Sequence, residues 1–406
     1  MDPLQTGNVE LELWVGQDES GEGGIAGEII PGEWRAQIDI ERTIETSDYH
    51  LVVYAEFGES KPAYHRAVHD RVVKSDQGWY KGELHCHSIE SDGHYAVAMV
   101  LEEANRLGLD YLAMTDHFTV SQWRKMDSAP KYPMALLHSC EITSHQGHAN
   151  LHGLKEWVDV YVDRAGWSMN QAADATHAQN GLFCVNHAYS GDLRWHDFSF
   201  DWHKADLIEI YHHLEGCNNG PMLSWWDHLL NEGYRIVGVG GTDSHDPYKG
   251  THKLGQCYTW IYADELSEQG LISALKRGQV YVSKGPQLKF TASDDMHDSI
   301  NMWETAQVGG GPVRFSVEAM ADEPARLFII KNGLIFDQVA LENQPGTWAE
   351  YSFEDTPGER SFYRVELHTD TSSIGNPKYP GIFWRDYASV LALSNPIWVE
   401  VDINEG

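Results

Sequence analysis

The sequence predicts an α/β protein, a βα barrel set between two β-rich flanks. Three observations carry that expectation. From about residue 80 to 285, runs with the two-residue period of strands alternate with runs of helical period. Clusters of histidine and carboxylate fall at the carboxyl ends of the predicted strands, where βα barrels build their sites. On either side the helical period is lost, and short β-branched or aromatic runs alternate with turn residues.

Before residue 79, strands are expected at Val9–Trp14, Trp34–Ile40 and Tyr49–Phe57, a β-sandwich-like domain over residues 1–78. The central domain, residues 79–285, opens with the strand Leu84–His87 and a helix over Ala96–Leu107, whose apolar residues recur at three- and four-residue steps. Strands follow at Asp110–Met114, Ala135–Ile142 and His148–Leu154. A helix over Met169–Gln179 feeds the strand Leu182–Asn186. Strand Leu207–Tyr211 leads through Pro221 to a helix ending near Glu232; strand Arg235–Val239 and a helix over Ser267–Arg277 close the domain. Repeated βα units imply a parallel sheet, and ligands from early and late strands converge more readily in a closed one. Residues 286–406 return to β character at Val313–Ala319, Ala325–Lys331, Ser361–His368 and Ile397–Val401, with Lys331-Asn332-Gly333 as a hairpin turn.

With 406 residues, 42% of them hydrophobic, and 15 Trp and 19 Tyr, the chain has ample material for two or three cores. Its 61 acidic residues against 29 basic give a formal charge of -32, which disfavours nucleic acid and anionic membranes as partners. A small-molecule substrate is expected instead, and no sequence feature assigns an oligomeric state. The five cysteines (Cys86, Cys140, Cys184, Cys217, Cys257) form no Cys-x-x-Cys pair and read as core residues. No run is long enough to span a membrane. Met1-Asp2-Pro3-Leu4 lacks a cationic apolar signal, favouring the cytoplasm over a secreted or periplasmic location that a preceding leader would specify.

The chemistry is concentrated in His85-Cys86-His87, where histidines at i and i+2 of a strand point the same way. Asp92 lies within reach as an oxygen ligand. Comparable clusters follow at Thr115-Asp116-His117, Cys140-Glu141 with Gly147-His148, Asn186-His187 and Asp243-Ser244-His245. The candidate ligands are therefore His85, His87, Asp92, His117, Glu141, His148, His187, Asp243 and His245. Imidazole with carboxylate suits Zn, Mn or Fe, and nine donors exceed the needs of one tetrahedral ion, so two or three divalent ions are expected. Glu141 is placed to bridge a pair about 3.5–4 Å apart. A lone histidine such as His138, His196 or His212 is better explained as core or surface; the set, recurring at corresponding positions of successive βα units, is not. Around Gly147, His145 and His152 compete with His148, since His148 and His152 share a strand face.

Taken in order, His85-Cys86-His87, Ser91-Asp92-Gly93, Thr115-Asp116-His117, Glu141, Asn186-His187 and Asp243-Ser244-His245 resemble the successive motifs of the polymerase and histidinol phosphatase (PHP) family over about residues 80–285. Gly147-His148-Ala149-Asn150, Leu207-Ile208-Glu209-Ile210-Tyr211 and Ser394-Asn395-Pro396-Ile397 are similar to its CehA/McbA-like branch, as are the flanking β-domains. The resemblance implies a distorted (β/α)7 barrel, with residues 286–406 a C-terminal β-sandwich-like domain. It implies one ion held by His85, His87, Glu141 and Asp243, a second by Glu141, His148 and His187, and, where present, a third by Asp92, His117 and His245. It implies hydrolysis of phosphate mono- or diesters in much of the family, and of aryl carbamates or amides in a few CehA/McbA-like members. Where the family often carries Asn-Gly, this chain has Tyr211-His212-His213, a departure at the pocket.

A phosphoesterase is the leading expectation, with Arg194 as the catalytic cation for non-reacting oxygens, and Trp195 and Lys249 as further substrate-binding residues. His117 and His245 admit a second role as proton donors to the leaving group. Hydrolysis of a carbamate, ester or amide is the alternative, suited by an aromatic wall drawn from Trp123, Trp157, Trp195, Trp202, Trp225 and Trp226. A non-catalytic, cation-dependent binding module is the minor one.

Overall fold

The computed structural model describes residues 13–17, 19–34, 48, 50–55, 71–129, 131–158, 168–212, 218–342, 344–369 and 390–401. The strands expected at Val9–Trp14 and Trp34–Ile40 lie largely outside these residues, as do Cys217 and His213; of Tyr49–Phe57, residues 50–55 are described and form no strand, Leu51, Val52, Val53 and Tyr54 standing exposed without a sheet to bury them. Among the described residues before 71, pairing is confined to an isolated bridge between Val15 and Ser20.

The α/β core is built from β1 (Gly78–Glu83), β2 (Tyr111–Met114), β3 (Ala135–Ser144), β4 (Gly147–His152), β5 (Leu182–Val185), β6 (Leu207–His212) and β7 (Val237–Gly241), hydrogen-bonded in that order. Helices α1 (Val97–Arg106), α2 (Ser121–Ser128), α3 (Met169–Ala178) and α4 (Asn219–Glu232) connect them. In α1 the apolar stripe Val97, Val100, Leu101 and Ala104 is buried, as its three-to-four spacing requires. Ser168 and Gln171 form a capping box that starts α3.

The sheet departs from the all-parallel expectation at β4. The strand pairs antiparallel with both β3 and β5, whereas β1–β2, β2–β3, β5–β6 and β6–β7 are parallel. The cause is the connection: only His145 and Gln146 separate β3 from β4, and a parallel crossover needs a dozen or more residues.

The two ends of this path meet. Beyond β1, Cys86 makes a parallel bridge with Ser244, and the His87 amide donates to the Ser244 carbonyl at 2.9 Å. Lower down, side chains replace a backbone ladder. Thr242 donates to the buried Glu83 carboxylate from its amide (3.0 Å) and hydroxyl (2.7 Å). Two antiparallel strands, β8 (Tyr258–Ala263) and β9 (Val280–Ser283), with α5 (Glu268–Arg277) between them, flank β1.

The C-terminal region adds β10 (Gln287–Ser293), β11 (Ile300–Asn301), β12 (Thr305–Val308), β13 (Val313–Met320), β14 (Ala325–Lys331), β15 (Leu334–Leu341), β16 (Ala349–Asp355), β17 (Ser361–Thr369), β18 (Val390–Ser394) and β19 (Ile397–Val401). Strands β11-β10-β13-β16 form one sheet, and its apolar face (Leu288, Phe290, Phe315, Val317) shares a core with Leu327, Ile329, Val365 and Val399 of the other. That second sheet is continuous with the α/β core, because β18 pairs with β9. The turn expected at Lys331-Asn332-Gly333 joins β14 to β15, with Asn332 and Gly333 both at positive φ (51° and 80°), as a two-residue hairpin of this kind demands. Among the described residues no helix is long and apolar enough to cross a membrane.

Candidate metal centre

All nine expected donors lie at one end of the β1–β7 sheet. His85 and His87 follow β1, Asp92 the loop beyond it, His117 β2, His187 β5, and Asp243 and His245 β7, while Glu141 lies within β3. Because β4 runs the opposite way, it is its amino end, His148, that reaches the same rim. His148 Nδ1 is 3.2 Å from Glu141 Oε1. His152 shares the face of His148 but lies four residues deeper, about 13 Å at strand rise. There it pairs with Ser139 Oγ at 2.9 Å, away from the cluster. Alternation fixes the face, and strand direction fixes the depth.

Three sets of ligand atoms, each within 4.8 Å of one another, could hold an ion: His85, His87, Glu141 and Asp243; Glu141, His148 and His187; and His87, Asp92, His117 and His245. Glu141, common to the first two sets, faces both. Glu141 Oε2 lies 3.3 Å from His85 Nε2 and 3.5 Å from His87 Nε2, while its Oε1 faces His148 and His187. Asp243 Oδ1 is 2.8 Å from His87 Nε2, and Asp92 Oδ1 is 3.1 Å from His245 Nε2 and 3.4 Å from His117 Nε2.

The donor set fits divalent cations. Both ring nitrogens of His187 are buried with no hydrogen-bond partner, although buried polar atoms are otherwise nearly always paired. Fully buried carboxylates converge on the same point, and charge at that depth needs compensation. The adjoining histidines supply part of it. Burial alone would raise Glu141 and Asp243, but adjoining imidazoles, His85 foremost, hold both well below the usual carboxylate range. Burial would lower His117 and His245, yet Glu141 and Asp92 beside the first, and Asp92 and Asp243 beside the second, hold them up at about 10 and about 9. Burial pushes His87 down to about 4, favouring the neutral imidazole that ligates metals.

A supporting layer fixes these rings. Glu209, buried in the apolar run Leu207–Ile210, accepts from His85 Nδ1 (2.7 Å) and from the His187 amide (2.9 Å), turning His85 Nε2 toward the centre. This packing needs Gly241: a Cβ there would stand 2.4 Å from Glu209 Oε1 and 2.8 Å from the His85 Cβ. Asn186 Nδ2 donates to Glu141 Oε1 (2.8 Å), and Asn186 Oδ1 accepts from the Asn150 amide (3.2 Å). Asp116 takes no part; it accepts from Ser88 and Ser91, ordering the loop that presents Asp92. Cys86 and Cys140 are buried thiols outside all the ligand sets. His187 (φ 23°), Asp243 (φ 52°) and Phe118 (φ 48°), which follows His117, hold left-handed backbone, the local strain that tends to gather at working sites.

Sequence reasoning named neither Glu83, Glu209 nor His212 among the donors or their supports, although Glu209 stands in a quoted motif and His212 in the departure at the pocket. A carboxylate inside a strand otherwise made of Leu and Ile was the available signal for Glu209. His212 belongs to two further sets, with His85 and Glu209 and with His187 and Asp243. Burial pushes it down to about 4.

Arg194 is exposed, and its Nε donates to His196 Nε2 (3.1 Å); Lys249 is exposed beyond His245. Trp195 packs directly over Gly147, the neighbour of His148, and continues through Phe200 (5.2 Å between ring centroids) and Trp202 (6.0 Å) to Trp225 (5.9 Å from Trp202). Trp123 and Trp226 are core residues whose indoles donate to the Ser139 and Ile236 carbonyls, and Trp157 is partly buried.

No protein-family model matches the chain, and no curated protein does. Among solved structures it is similar to a two-domain protein from Bacteroides vulgatus ATCC 8482 containing a predicted PHP-like metal-dependent phosphoesterase, at 18% identity and a TM-score of 0.44 over 76% of this chain and 95% of that one. It is also similar to PsfC from Pseudomonas syringae PB-5123 (15%, TM-score 0.39, 48% and 88% of the two chains). An amidohydrolase from Chromobacterium violaceum with bound sulfate and no metal is a third (16%, TM-score 0.33, 41% and 88%). Similarity at this level leaves the functional reading to the side chains of the site.

Proposed function

We propose that the chain is a metal-dependent hydrolase of the PHP type, in its CehA/McbA-like branch, with phosphate mono- or diesters as the favoured substrates. In this reading β1–β7 are a distorted seven-stranded barrel, and residues 286–406 a β-sandwich-like domain packed on it. The observation that carries the proposal is the convergence of nine His, Asp and Glu donors on one sheet end, with Glu141 facing two sets at once.

His85, His87, Glu141 and Asp243 would hold one ion, Glu141, His148 and His187 a second, and Asp92, His117 and His245, joined by His87, a third. Bound Zn, Mn or Fe would supply Lewis acidity and an activated water at neutral pH. The chain's own contribution is placement. Glu209 and Asn186 lock His85 and Glu141, and the buried wall beneath them excludes bulk water. His117 and His245, held protonated beside Asp92 in a chain lacking the third ion, are placed to give a proton to a leaving group.

A second reading, hydrolysis of a carbamate, ester or amide, draws on a different observation. The two cations expected to bind phosphate oxygens, Arg194 and Lys249, are exposed, whereas the aromatic run from Trp195 begins beside His148. Turnover of matched aryl phosphate monoester, phosphodiester, ester and carbamate separates the readings, with protein first chelated and then reloaded with Mn or Zn. Metal-dependent release from phosphate esters is expected. Release from carbamate or ester alone selects the second reading, and silence on all four, with metal bound, selects a binding module.

A further inference from the structure

None of the nine donors comes from β6. We infer that His212, at the carboxyl end of that strand, is a further metal ligand, sharing an ion with His187 and Asp243. The inference rests on the metal-centre reading above and adds to it a donor that strand periodicity excludes.

Glu209 points into the centre, and three residues on in a regular strand His212 would face the opposite side. The β6–β7 register shifts between Glu209 and Tyr211: Glu209 lies opposite Val239, but Tyr211 lies opposite Gly240 and His212 opposite Gly241. The extra residue, Ile210, reverses the phase, a device that re-aims side chains beside active sites. Glu209 and His212 thereby share the inner face. Asn219, at the start of α4, then clamps the backbone of His212, accepting from its amide (2.8 Å) and donating to its carbonyl (2.9 Å).

The ring is buried, edge-on to His187 (centroids 5.0 Å apart, 74°) and to His85 (5.7 Å, 70°). Its Nε2 lies 3.7 Å from Asp243 Oδ2, the oxygen opposite the one that faces His87. That spacing exceeds a hydrogen bond. It suits two ligands of one ion, which stand roughly 3–4 Å apart when each is about 2.0–2.2 Å from zinc. Asp243 thus mirrors Glu141, with one oxygen toward each of two neighbouring sets.

The test compares wild type with His212→Asn, His212→Cys and, as a buried-histidine control, His152→Asn, each loaded with zinc or cobalt(II). Ion content is measured before and after challenge with a chelator, and folding by circular dichroism. His212→Asn is expected to lose one ion at least 10- to 100-fold more readily and keep the others, while His152→Asn matches wild type. Cobalt-loaded His212→Cys should gain the near-ultraviolet thiolate-to-cobalt charge-transfer band of a sulfur ligand, which decides the matter if His212→Asn does not fold. Unaltered chelator resistance in His212→Asn, equal loss from His152→Asn, or absence of the band overturns the assignment. Wild type that takes up no ion defeats instead the metal-centre reading beneath it.

Discussion

Asn395 offers the sharpest test of how the sheet is closed beneath the site. It is fully buried, and its amide takes the place of a strand ladder: Nδ2 donates to the carbonyls of Gly238 on β7 and Val280 on β9, and Oδ1 accepts from the Gly238 amide, all at 2.8 Å. Asn395→Ala leaves three backbone groups without that partner in a region water reaches poorly. At about 1–3 kcal/mol for each unsatisfied group, and with some relaxation, the loss is about 3–5 kcal/mol. Asn395→Asp keeps the shape and removes the donor, setting a carboxylate against two carbonyl oxygens, so it should be no milder. Because β7 leads into Asp243 and His245, chelator resistance should fall in both variants. Urea unfolding followed by tryptophan fluorescence gives the stability change, and hydrogen exchange at the Gly238 amide reports the seam itself. Losses below about 1 kcal/mol in both variants, with Gly238 still protected, would refute this account of the closure.

Other expectations are equally specific. Arg364, fully buried, makes paired 2.7 Å bonds to Asp227 on α4 and another to Glu366, so Arg364→Ala should cost about 3–5 kcal/mol in chemical denaturation, and pairing it with Asp227→Leu should recover part of that. Glu209→Gln removes the carboxylate that orients His85 and should weaken retention of the first ion about 10- to 100-fold by chelator competition. Asp92→Asn should lower only the third ion's occupancy in metal analysis, sparing the two that share Glu141. His177 is raised by its 2.7 Å hydrogen bond to Asp206, so its contribution is fully present below about pH 6.5 and lost as pH rises through the higher folded-state value. His177→Gln should therefore narrow the stability gap to wild type at pH 8.5 compared with pH 5.5, and a gap that widened with pH would contradict the sign.

Much of the α/β core was legible because its signals are local. The stripe of α1 and the apolar runs of β2 and β5 follow from periodicity within a few residues, whereas the strand expected at Leu84–His87 is displaced: β1 ends at Glu83, and His85 and His87 lie just beyond it on either side of the bridged Cys86. The grouping of Glu141 with His148 and His187 was implied by the family resemblance, since periodicity alone left His148 and His152 level. What escaped depends on direction and register. The reversal of β4 explains why His148 meets Glu141 and His152 does not, and alternation along one strand carries no information about which end faces the site. The shift at Ile210 turns His212 inward against the two-residue period, so a rule applied without its partner strand assigns the wrong face. Glu83 and Glu209 were passed over because buried orienting carboxylates acquire meaning only with the groups they contact, Thr242 and His85. The reach of Arg194 is a matter of loop conformation, which neither period nor composition encodes.

The central claim is that these side chains hold a polynuclear metal centre. Its most direct test is the number of ions per chain after loading the 406-residue chain with zinc or manganese and removing free metal, read beside Glu141→Ala. Two or three ions in wild type, with loss of both ions that share Glu141 in the variant, is the predicted result. Fewer than two in wild type, or a variant indistinguishable from it, would contradict the account.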